Sequence, residues 1–266
     1  MAFVALITGA SSGIGEATAR RLAREPDTRL VLVARREAML DELARELGGA
    51  TVIALDLTDP ESPARVLEVV LREHGELNLL VNNAGAAWRG RFDQTGWAGI
   101  DRHMKLNFQA PVRLTEALLP LLRRTAAISS ADPGASIVNV ASTAARVSRP
   151  SSGAYSASKF ALAGWSDALY AEEREHGVHV GLVLPGFVKT EGFPAAELVA
   201  RAATRWLVST PEVVAEAIVQ AGPGGRPERY VPRYYWLGAA LRILAPALVR
   251  RVTRGGAMTT ATNAGD

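Results

Sequence analysis

The sequence predicts an α/β fold in which one doubly wound parallel sheet of about seven strands carries helices on both faces. Short apolar runs of strand length alternate along the chain with segments of helical periodicity. The apolar runs are nearly continuous rather than alternating, which is typical of strands buried on both faces of a parallel sheet. A glycine-rich stretch also joins the first apolar run directly to the first helical segment. We find no repeat or long linker and therefore expect a single α/β domain.

The strands and helices can be assigned in order along the chain. Strand-length apolar runs cover Phe3–Ile7, Leu30–Ala34, Thr51–Leu55, Leu77–Val81, Ser136–Val140 and Val178–Leu184. Helical periodicity covers Glu16–Arg24, Glu37–Leu47, Glu61–His74, a longer region near Trp97–Arg124, and Ala154–Glu175. Right-handed crossovers between such strands place helices on both faces of the sheet.

Composition excludes several kinds of site. The chain has 266 residues and no cysteine, which excludes disulfides, thiolate metal sites and cysteine nucleophiles. The four histidines show no metal-ligand spacing, and the nearest pair, His176 and His179, fits a helix-end or surface role better. The net charge is +3 and the basic residues are mostly scattered, so we predict no nucleic-acid surface. The first residues lack the pattern of a targeting segment, and we expect a cytoplasmic location.

The glycine-rich loop at residues 8–15 reads TGASSGIG and opens the first helix. Glycines allow a tight turn and a close approach to a pyrophosphate, and the helix N-terminus offers free N–H groups to that anion. In a strand–loop–helix context this pattern indicates a Rossmann-type dinucleotide site. The alternative is a tight turn without a ligand. The loop residues expected to contact the cofactor are Gly9, Ser11, Ser12, Gly13, Ile14 and Gly15.

The end of the second strand indicates which dinucleotide binds. A site for NAD usually places an acid here for the ribose 2′-hydroxyl. This chain has Arg35 and Arg36 instead, and a guanidinium can bind a 2′-phosphate through charge-assisted hydrogen bonds. We therefore predict NADP(H). The alternative is that both arginines only begin a solvated helix.

Tyr155 and Lys159 lie four residues apart, and Ser142 lies thirteen residues before the tyrosine. On a helix, positions i and i+4 share a face, so a phenol and an ammonium are placed side by side. A nearby cation lowers the pKa of a phenol, and a hydroxyl that holds the same substrate oxygen would complete a proton-transfer site. Each residue alone also has a structural interpretation: packing for the tyrosine, solvation for the lysine and a strand-end cap for the serine.

Together these residues resemble the short-chain dehydrogenase/reductase family, in its short single-domain branch, over roughly residues 3–232. The resemblance is carried by the following motifs: TGASSGIG at 8–15, Asp56-Leu57, Asn82-Asn83-Ala84-Gly85, Asn107, Ser142, Tyr155-x-x-x-Lys159, and Pro185-Gly186 followed by Thr190. Two positions depart from the common pattern. Ser12 replaces a basic residue found in many NADP-using relatives, and Ala141 replaces the first serine of a common pair.

The resemblance implies a role for each motif. Asn107, Ser142, Tyr155 and Lys159 would form a catalytic tetrad that acts on a carbonyl or secondary alcohol. Tyr155 would be the general acid/base, Ser142 would orient the substrate oxygen, Lys159 would lower the tyrosine pKa and hold the nicotinamide ribose, and Asn107 would stabilise a water in a proton relay. Asp56 and Leu57 would lie near the adenine, and Asn82 would lock the sheet. The remaining cofactor contacts would come from Asn83, Ala84, Gly85, Pro185, Gly186, Val188 and Thr190.

Three segments are expected to face the substrate: 86–95, 143–152 and 191–209. They carry apolar side chains that predict a hydrophobic substrate: Trp88, Phe92, Val147, Phe187, Phe193, Leu198 and Trp206. The alternative is that several of these only pack a lid against the core. Arg89, Arg91 and Arg146 could meet an acidic group, although we expect solvation for each.

The C-terminal part differs from the rest. We assign residues 1–232 to the catalytic domain, 233–254 to an amphipathic helical segment that Pro246 kinks or splits, and 255–266 to a disordered tail. One stripe of the helical segment holds Leu237, Leu241, Leu244, Leu248 and Val252. Packing against the substrate mouth or a second subunit is favoured over an interfacial membrane contact. Small residues on the tyrosine helix, as in relatives that pair it, imply a homodimer or homotetramer.

Two other functions stay open. One is a non-catalytic NADP(H)-binding sensor or scaffold on the same fold, which a missing tetrad member would favour. The other is a membrane-associated lipid or sterol reductase, which only the C-terminal segment supports. The fold alone does not decide among them.

Overall fold

Strands and helices alternate along the chain in the computed structural model, which describes residues 2–190 and 206–254. The strands are β1 (Phe3–Thr8), β2 (Thr28–Ala34), β3 (Thr51–Ala54), β4 (Leu79–Asn82), β5 (Ala135–Val140), β6 (Val178–Pro185), β7 (Phe187–Val188), β8 (Val208–Ser209) and β9 (Glu228–Val231). The helices are α1 (Gly13–Leu22), α2 (Glu37–Glu46), α3 (Ser62–Glu73), α4 (Phe92–Met104), α5 (Ala110–Ile128), α6 (Gly153–Glu173), α7 (Pro211–Ala221), α8 (Trp236–Leu244) and α9 (Pro246–Arg254).

The main sheet has seven parallel strands in the order β3-β2-β1-β4-β5-β6-β9, and β7 pairs with β8 in a separate small sheet. The chain winds outward from β1 in both directions, so the order of the strands reverses between β1 and β4. The predicted Rossmann-type α/β fold is confirmed. Crevices at such a reversal, outside the carboxyl ends of the strands, are where open α/β sheets bind ligands.

Two apolar layers explain why the strand sequences are nearly continuous in apolar residues. Along β1, Ala5 and Ile7 face the layer covered by α1, α2 and α7, whereas Val4 and Leu6 face the layer that contains α3, α5 and α6. Because successive side chains of a strand point to opposite faces, burial of both faces requires an apolar residue at every position.

The structure adds elements that the sequence patterns did not reveal. The seventh strand, β9, reads ERYV and begins with an exposed glutamate, so it lacks the apolar run of the inner strands. Helix α7 begins at Pro211, directly after the N-cap residue Thr210, and was likewise not predicted. The long region near Trp97–Arg124 is divided by a π-helical turn at Lys105–Gln109. As expected, Pro246 splits the C-terminal segment, here into α8 and α9.

A buried hydrogen-bond network joins the two central strands to two helices. Asn82 of β4 and Asn139 of β5 are register partners, and the Asn82 Nδ2 donates to Asn139 Oδ1 at 2.9 Å. Asn82 Nδ2 also donates to the Thr115 hydroxyl of α5 at 3.0 Å, and Asn139 Nδ2 donates to the Ser166 hydroxyl of α6 at 2.9 Å. All four side chains are buried, so the bonds fix α5 and α6 on the sheet without competition from water.

We expect Asn139→Ala to lower the free energy of unfolding by about 1–3 kcal/mol, because it leaves buried donors and acceptors of Asn82 and Ser166 without this partner. Urea unfolding of Asn139→Ala, Ser166→Ala and the double variant would measure the effect. The double variant should lose less than the sum of the single losses, since both single changes break the same hydrogen bond. Strict additivity would contradict a shared network.

Candidate active site

One cleft of about 740 Å³ lies at the carboxyl ends of β1, β2, β4, β5 and β6. Its wall contains nearly all the residues for which the sequence predicted a role. Those that line it are Gly9, Ser11, Ser12, Gly13, Ile14, Arg35, Arg36, Asp56, Leu57, Asn83, Ala84, Gly85, Ser142, Tyr155, Lys159, Pro185, Gly186, Val188 and Thr190. Gly15 and Asn107 are not part of the wall and lie behind it.

The glycine loop has the geometry of an anion cradle. Gly9 and Gly13 adopt positive φ angles of 67° and 58°, which side-chain-bearing residues rarely adopt. A β-carbon on Gly15 would lie 2.2 Å from the Gly9 carbonyl oxygen, so this glycine allows α1 to pack directly on the loop. Ser12 precedes α1 without a side-chain capping hydrogen bond, so this side chain does not satisfy the first-turn N–H groups, and the first two residues of the helix, Gly13 and Ile14, line the cleft. The loop therefore fits a pyrophosphate.

Thr8 holds the glycine loop against the end of β4, a role that the sequence prediction missed. Its hydroxyl donates to the Val81 carbonyl at 3.1 Å and accepts from the backbone N–H groups of Asn83 and Ala84, each at 3.0 Å. The Asn83 side chain in turn donates to the Thr8 carbonyl at 2.9 Å. The signal was present, since this threonine begins the TGASSGIG motif.

The two arginines after β2 differ in their contacts. Arg36 extends back to the glycine loop, where its Nε lies 3.2 Å from the Ser11 hydroxyl and its Nη2 lies 3.3 Å from the Ser11 carbonyl. Arg35 is exposed at the cleft. Asp56, after β3, accepts two hydrogen bonds of 2.8 Å from the N–H and hydroxyl of Thr58. The Thr58 N–H, then its hydroxyl and the Arg35 charge, hold the pKa of Asp56 below its usual value despite partial burial.

Lys159 lies on α6, one turn after Tyr155, and is only 4% exposed. Its Nζ donates to the Val140 carbonyl at the end of β5 at 2.8 Å. Burial lowers the pKa of Lys159 from 10.5 to about 8. Ser142 also lies at the end of β5. Its hydroxyl accepts from the Ala144 N–H at 3.1 Å and so caps a short 3₁₀ turn while lining the cleft.

The electrostatics of Tyr155 differ from the sequence-based expectation. Burial raises the pKa of Tyr155, while a hydrogen bond with Ser142 and the charges of Arg149 and Arg89 lower it. We had expected Lys159 to be the cation that favours the phenolate. In the structure, the opposing cations belong to two loops that flank the cleft, and these loops are joined by a hydrogen bond of 3.0 Å from the Gly90 N–H to the Ser151 carbonyl.

Asn107 is fully buried within the π-helical turn. Its side-chain oxygen accepts from the Ala86 N–H at 3.0 Å, and its Nδ2 donates to the Ala86 carbonyl at 3.0 Å and the Ser158 hydroxyl at 3.1 Å. Ser158 then donates to the Tyr155 carbonyl at 2.8 Å. A β-carbon on Gly85 would lie 3.0 Å from Asn107 Oδ1 and 3.4 Å from Lys159 Nζ, so both polar groups lie close to Gly85.

The part of the cleft that we expect to take the substrate is both aromatic and cationic. Trp88 and Phe187 line it, and the guanidinium carbons of Arg102 and Arg149 lie 3.8 Å and 4.7 Å from the centres of these two rings, respectively. Phe92 and Trp206 are exposed instead, and Val147 does not line the cleft. Phe193, Leu198 and most of the expected segment 191–209 lie outside the described residues.

We expected Arg89, Arg91 and Arg146 to be solvated, and the structure places them differently from one another. Arg91 is exposed beside Asp93, and Arg146 pairs with Glu228 at 2.9 Å. Arg89 lines the cleft, which agrees with the expectation that segment 86–95 faces the substrate rather than with the preference for a solvated arginine.

His103 is a further residue that the sequence prediction missed. It is buried, its Nε2 accepts from the Trp88 N–H at 3.1 Å, and its ring centre lies 6.2 Å from that of Tyr155. Burial lowers the pKa of His103, which favours the neutral imidazole needed to accept this bond. His103 therefore positions the loop that carries Trp88 and Arg89.

Comparisons with known proteins agree with this architecture. The profile of the short chain dehydrogenase family matches residues 3–197. A zebrafish protein (Danio rerio), dehydrogenase/reductase SDR family member 7B, is 34% identical over 198 residues, which cover 70% of this chain and 61% of the relative. A short-chain dehydrogenase from Streptomyces avermitilis superposes with a TM-score of 0.77 at 30% identity, covering 96% of this chain and 98% of that one. An alcohol dehydrogenase from Thermococcus sibiricus, solved with 5-hydroxy-NADP, superposes with a TM-score of 0.73 at 26% identity, covering 86% of this chain and 96% of that one.

The strand order and the glycine loop define a dinucleotide-binding α/β protein. With the family profile matched over residues 3–197, the chain belongs to the short-chain dehydrogenase/reductase family of oxidoreductases. It spans about three fifths of the length of the zebrafish relative. Among residues 2–190 and 206–254, no group of three or more histidine, aspartate or glutamate side chains is arranged to hold a metal ion.

Stability should depend on pH through Lys159. Between the folded pKa of about 8 and the ordinary value of 10.5, the unfolded state binds more protons, so the free energy of unfolding rises with pH. The shift corresponds to roughly 3 kcal/mol across this window. Below it, both states are protonated and the full cost of the buried charge is present.

Urea unfolding of the cofactor-free protein and of Lys159→Met, from neutral to alkaline pH, would measure this contribution. We expect the wild type to gain stability relative to Lys159→Met as pH rises through the window. Lys105→Met removes an exposed lysine and should follow the wild-type pH profile. Parallel curves for the wild type and Lys159→Met would contradict a depressed lysine pKa.

Proposed function

We propose that this chain is an NADP(H)-dependent oxidoreductase that interconverts a carbonyl and a secondary alcohol. The observation that carries the proposal is the convergence of Tyr155, Ser142 and buried Lys159 on the same cleft as the glycine loop. A cofactor-binding fold alone would need only the loop. Here the cleft also holds, beside the glycine loop, side chains that can donate and accept a proton, as a reaction on a carbonyl or alcohol requires.

The residues of the cleft fit a nicotinamide dinucleotide. The glycine loop and the N-terminus of α1 would hold the pyrophosphate, Asp56 and Leu57 would lie at the adenine, and the turn at Pro185–Thr190 would hold the nicotinamide end. The bound nicotinamide supplies or accepts the hydride. The chain must bind the substrate, orient its oxygen and manage one proton.

Tyr155 would donate its hydroxyl proton to the substrate oxygen during reduction and accept it back as a phenolate during oxidation. Burial keeps the phenol neutral and ready to donate at neutral pH, whereas Ser142, Arg149 and Arg89 lower the cost of the phenolate. Ser142 would orient the substrate oxygen. Lys159 would hold the nicotinamide ribose, and Asn107, whose Oδ1 lies close to Gly85 as does Lys159 Nζ, would support proton exchange with solvent.

The preference for NADP(H) rests on Arg35. This guanidinium is exposed at the cleft beside Asp56, where a ribose 2′-phosphate would find a positive charge rather than a carboxylate at the end of β2. Arg36 would act indirectly, since it bonds to Ser11 of the loop. The solved archaeal neighbour with 5-hydroxy-NADP is consistent with this choice.

The substrate half favours a molecule with an apolar body and an acidic group near its carbonyl. Trp88 and Phe187 would pack against the apolar part, and Arg89 and Arg149 would face the acid. A screen of matched neutral and acidic ketones, aldehydes and alcohols, followed by NADPH absorbance in both directions, tests the function. NADPH binding without turnover of any member would favour the alternative of a non-catalytic sensor or scaffold.

A homodimer or homotetramer built on α6 is also part of the proposal. Ala157, Gly164 and Ala168 are exposed on this helix, and small residues allow a second helix to approach closely. Sedimentation velocity would reveal the oligomeric state, and a monomer at all concentrations would exclude this interface. The cytoplasmic location stays a prediction.

Tyr155→Phe should reduce kcat by about 10²–10⁴-fold because it removes the proton donor and little else. NADPH binding, measured by the fluorescence of the bound cofactor, should stay near the wild-type affinity. Tyr170→Phe on the same helix is a matched control, since its ring packs against His179 outside the cleft. Retained turnover in Tyr155→Phe would remove the tyrosine from the mechanism.

Arg35→Ala should weaken NADPH binding by about tenfold to a hundredfold, because a charge-assisted hydrogen bond to the 2′-phosphate is lost. Binding of NADH should change little, so titrations with both cofactors give the measurement. Arg65→Ala removes an exposed arginine of α3 outside the cleft and serves as the control. An equal loss for NADH and NADPH would rule out recognition of the 2′-phosphate by Arg35.

A further inference from the structure

The C-terminal helices, together with Tyr234 just before them and Trp206 packed against it, present a large apolar surface to solvent. This surface, the C-terminal face, is formed by side chains that are all exposed: Trp206, Tyr234, Trp236, Leu237, Leu241, Ile243, Leu244, Leu248 and Val252. Ile243 is 77% exposed and Leu244 is 83% exposed. Apolar patches of this extent are uncommon on monomers and mark contact sites for proteins or membranes. The leucine stripe predicted from the sequence is therefore present but uncovered.

The helices that carry the C-terminal face are held against the rest of the protein. Ala239 of α8 and Val249 of α9 are buried, so each helix packs inward through a small part of its surface. The Tyr235 hydroxyl donates to the Leu207 carbonyl at 2.9 Å, and the Tyr234 hydroxyl donates to the Trp206 carbonyl. The segment is thus held in a defined place while its leucines point outward.

Charge distinguishes this part of the chain from the rest. Residues 233–254 contain five arginines, at positions 233, 242, 250, 251 and 254. No aspartate or glutamate occurs between Arg229 and Gly265. Arg233, Arg250 and Arg251 are exposed around the apolar residues. The C-terminal face is therefore apolar and is bordered by positive charges without negative ones. It complements a partner surface that has an apolar interior and negative charges at its boundary.

A bilayer with anionic lipids has this combination. Short amphipathic helices with leucines and tryptophans on one side and arginines at the border lie in the plane of the interface. Tryptophan and tyrosine are preferred at the level of the headgroups, and basic residues are attracted to anionic lipids. A second copy of the chain would instead bring two arginine-rich borders together. Within the described residues, no helix has the length and apolarity to cross a membrane.

We propose that the C-terminal face docks this protein onto the surface of a bilayer that contains anionic phospholipid. The inference does not depend on the proposed catalytic function. It reverses the preference drawn from the sequence, because neither the substrate cleft nor the remainder of the described chain covers the leucine stripe.

The position of the face links docking to the cleft. A β-carbon on Gly186 would lie 2.3 Å from the Tyr235 ring, so the segment begins in contact with the turn that closes the nicotinamide end. Docking would place this end of the cleft near the membrane surface, where an apolar substrate is concentrated.

Flotation with vesicles tests the proposal. The full chain is mixed with phosphatidylcholine vesicles, with or without phosphatidylserine, and separated on a density gradient. We expect co-flotation with the anionic vesicles, weaker binding to the neutral ones and a decrease at high salt, since screening weakens the attraction of the arginines. Absence of co-flotation with anionic vesicles at low salt would overturn the proposal.

Variants separate docking from general stickiness. Ile243→Glu combined with Leu244→Glu places two carboxylates in the face, and we expect about tenfold or greater loss of vesicle binding. Ile128→Glu changes another exposed isoleucine, 59% exposed at the end of α5, and should bind vesicles like the wild type. Circular dichroism and NADPH binding would establish that each variant is folded. Equal loss in both variants, or no loss in the double variant, would contradict a role for this face.

Sedimentation velocity of the same variants tests the alternative that a second copy of the chain covers the C-terminal face. If the wild type does not float and the double glutamate variant alone dissociates to a smaller species, a second copy covers the face and the membrane proposal is wrong. If flotation depends on the face while oligomer size is unchanged, the bilayer is the occupant.

Discussion

The paired asparagines Asn82 and Asn139 join β4 to β5 at the carboxyl end of the sheet and extend the connection to α5 and α6. Side-chain amides are costly to bury, and here the Nδ2 groups of both asparagines donate to acceptors on a neighbouring strand or helix. These bonds position the elements that carry the candidate site. Helix α6 carries Tyr155 and Lys159, β5 leads into Ser142, and the π-helical turn with Asn107 precedes α5. The groups of the candidate site therefore share a single rigid support.

Burial has opposite effects on the two titratable groups of α6. It raises the pKa of Tyr155 and lowers that of Lys159, since each shift favours the neutral form. The two pKa values are thereby moved apart from their ordinary values of 10.0 and 10.5, since that of Tyr155 rises and that of Lys159 falls to about 8. The phenol therefore keeps its proton more firmly than the ammonium does. The arginines beside the tyrosine counteract part of its shift. In the proposed mechanism, the proton affinity of Tyr155 thus depends on loop residues as well as on the motif on the helix.

The features that could be predicted from the sequence are those determined by residues close together in the chain. The glycine loop, the i and i+4 relation of Tyr155 and Lys159, and the split at Pro246 each depend on residues close in sequence. The family resemblance added Asn107 and the strand-end motifs. Contacts between distant segments were not predictable in the same way. His103 lies near Tyr155 because α4 packs against α6, and Arg149 lies over the Phe187 ring because the loop before α6 approaches the turn after β6. Strand β9 was missed because an edge strand buries less and tolerates polar residues.

The close approach of Gly186 to the Tyr235 ring has a mechanical consequence. The turn after β6 and the start of the C-terminal helices form one contact, with no room for a side chain between them. A displacement of these helices toward the sheet would press the Tyr235 ring against Gly186, which lines the cleft. A surface that binds the C-terminal face could therefore change the geometry of the site through the contact between Tyr235 and Gly186.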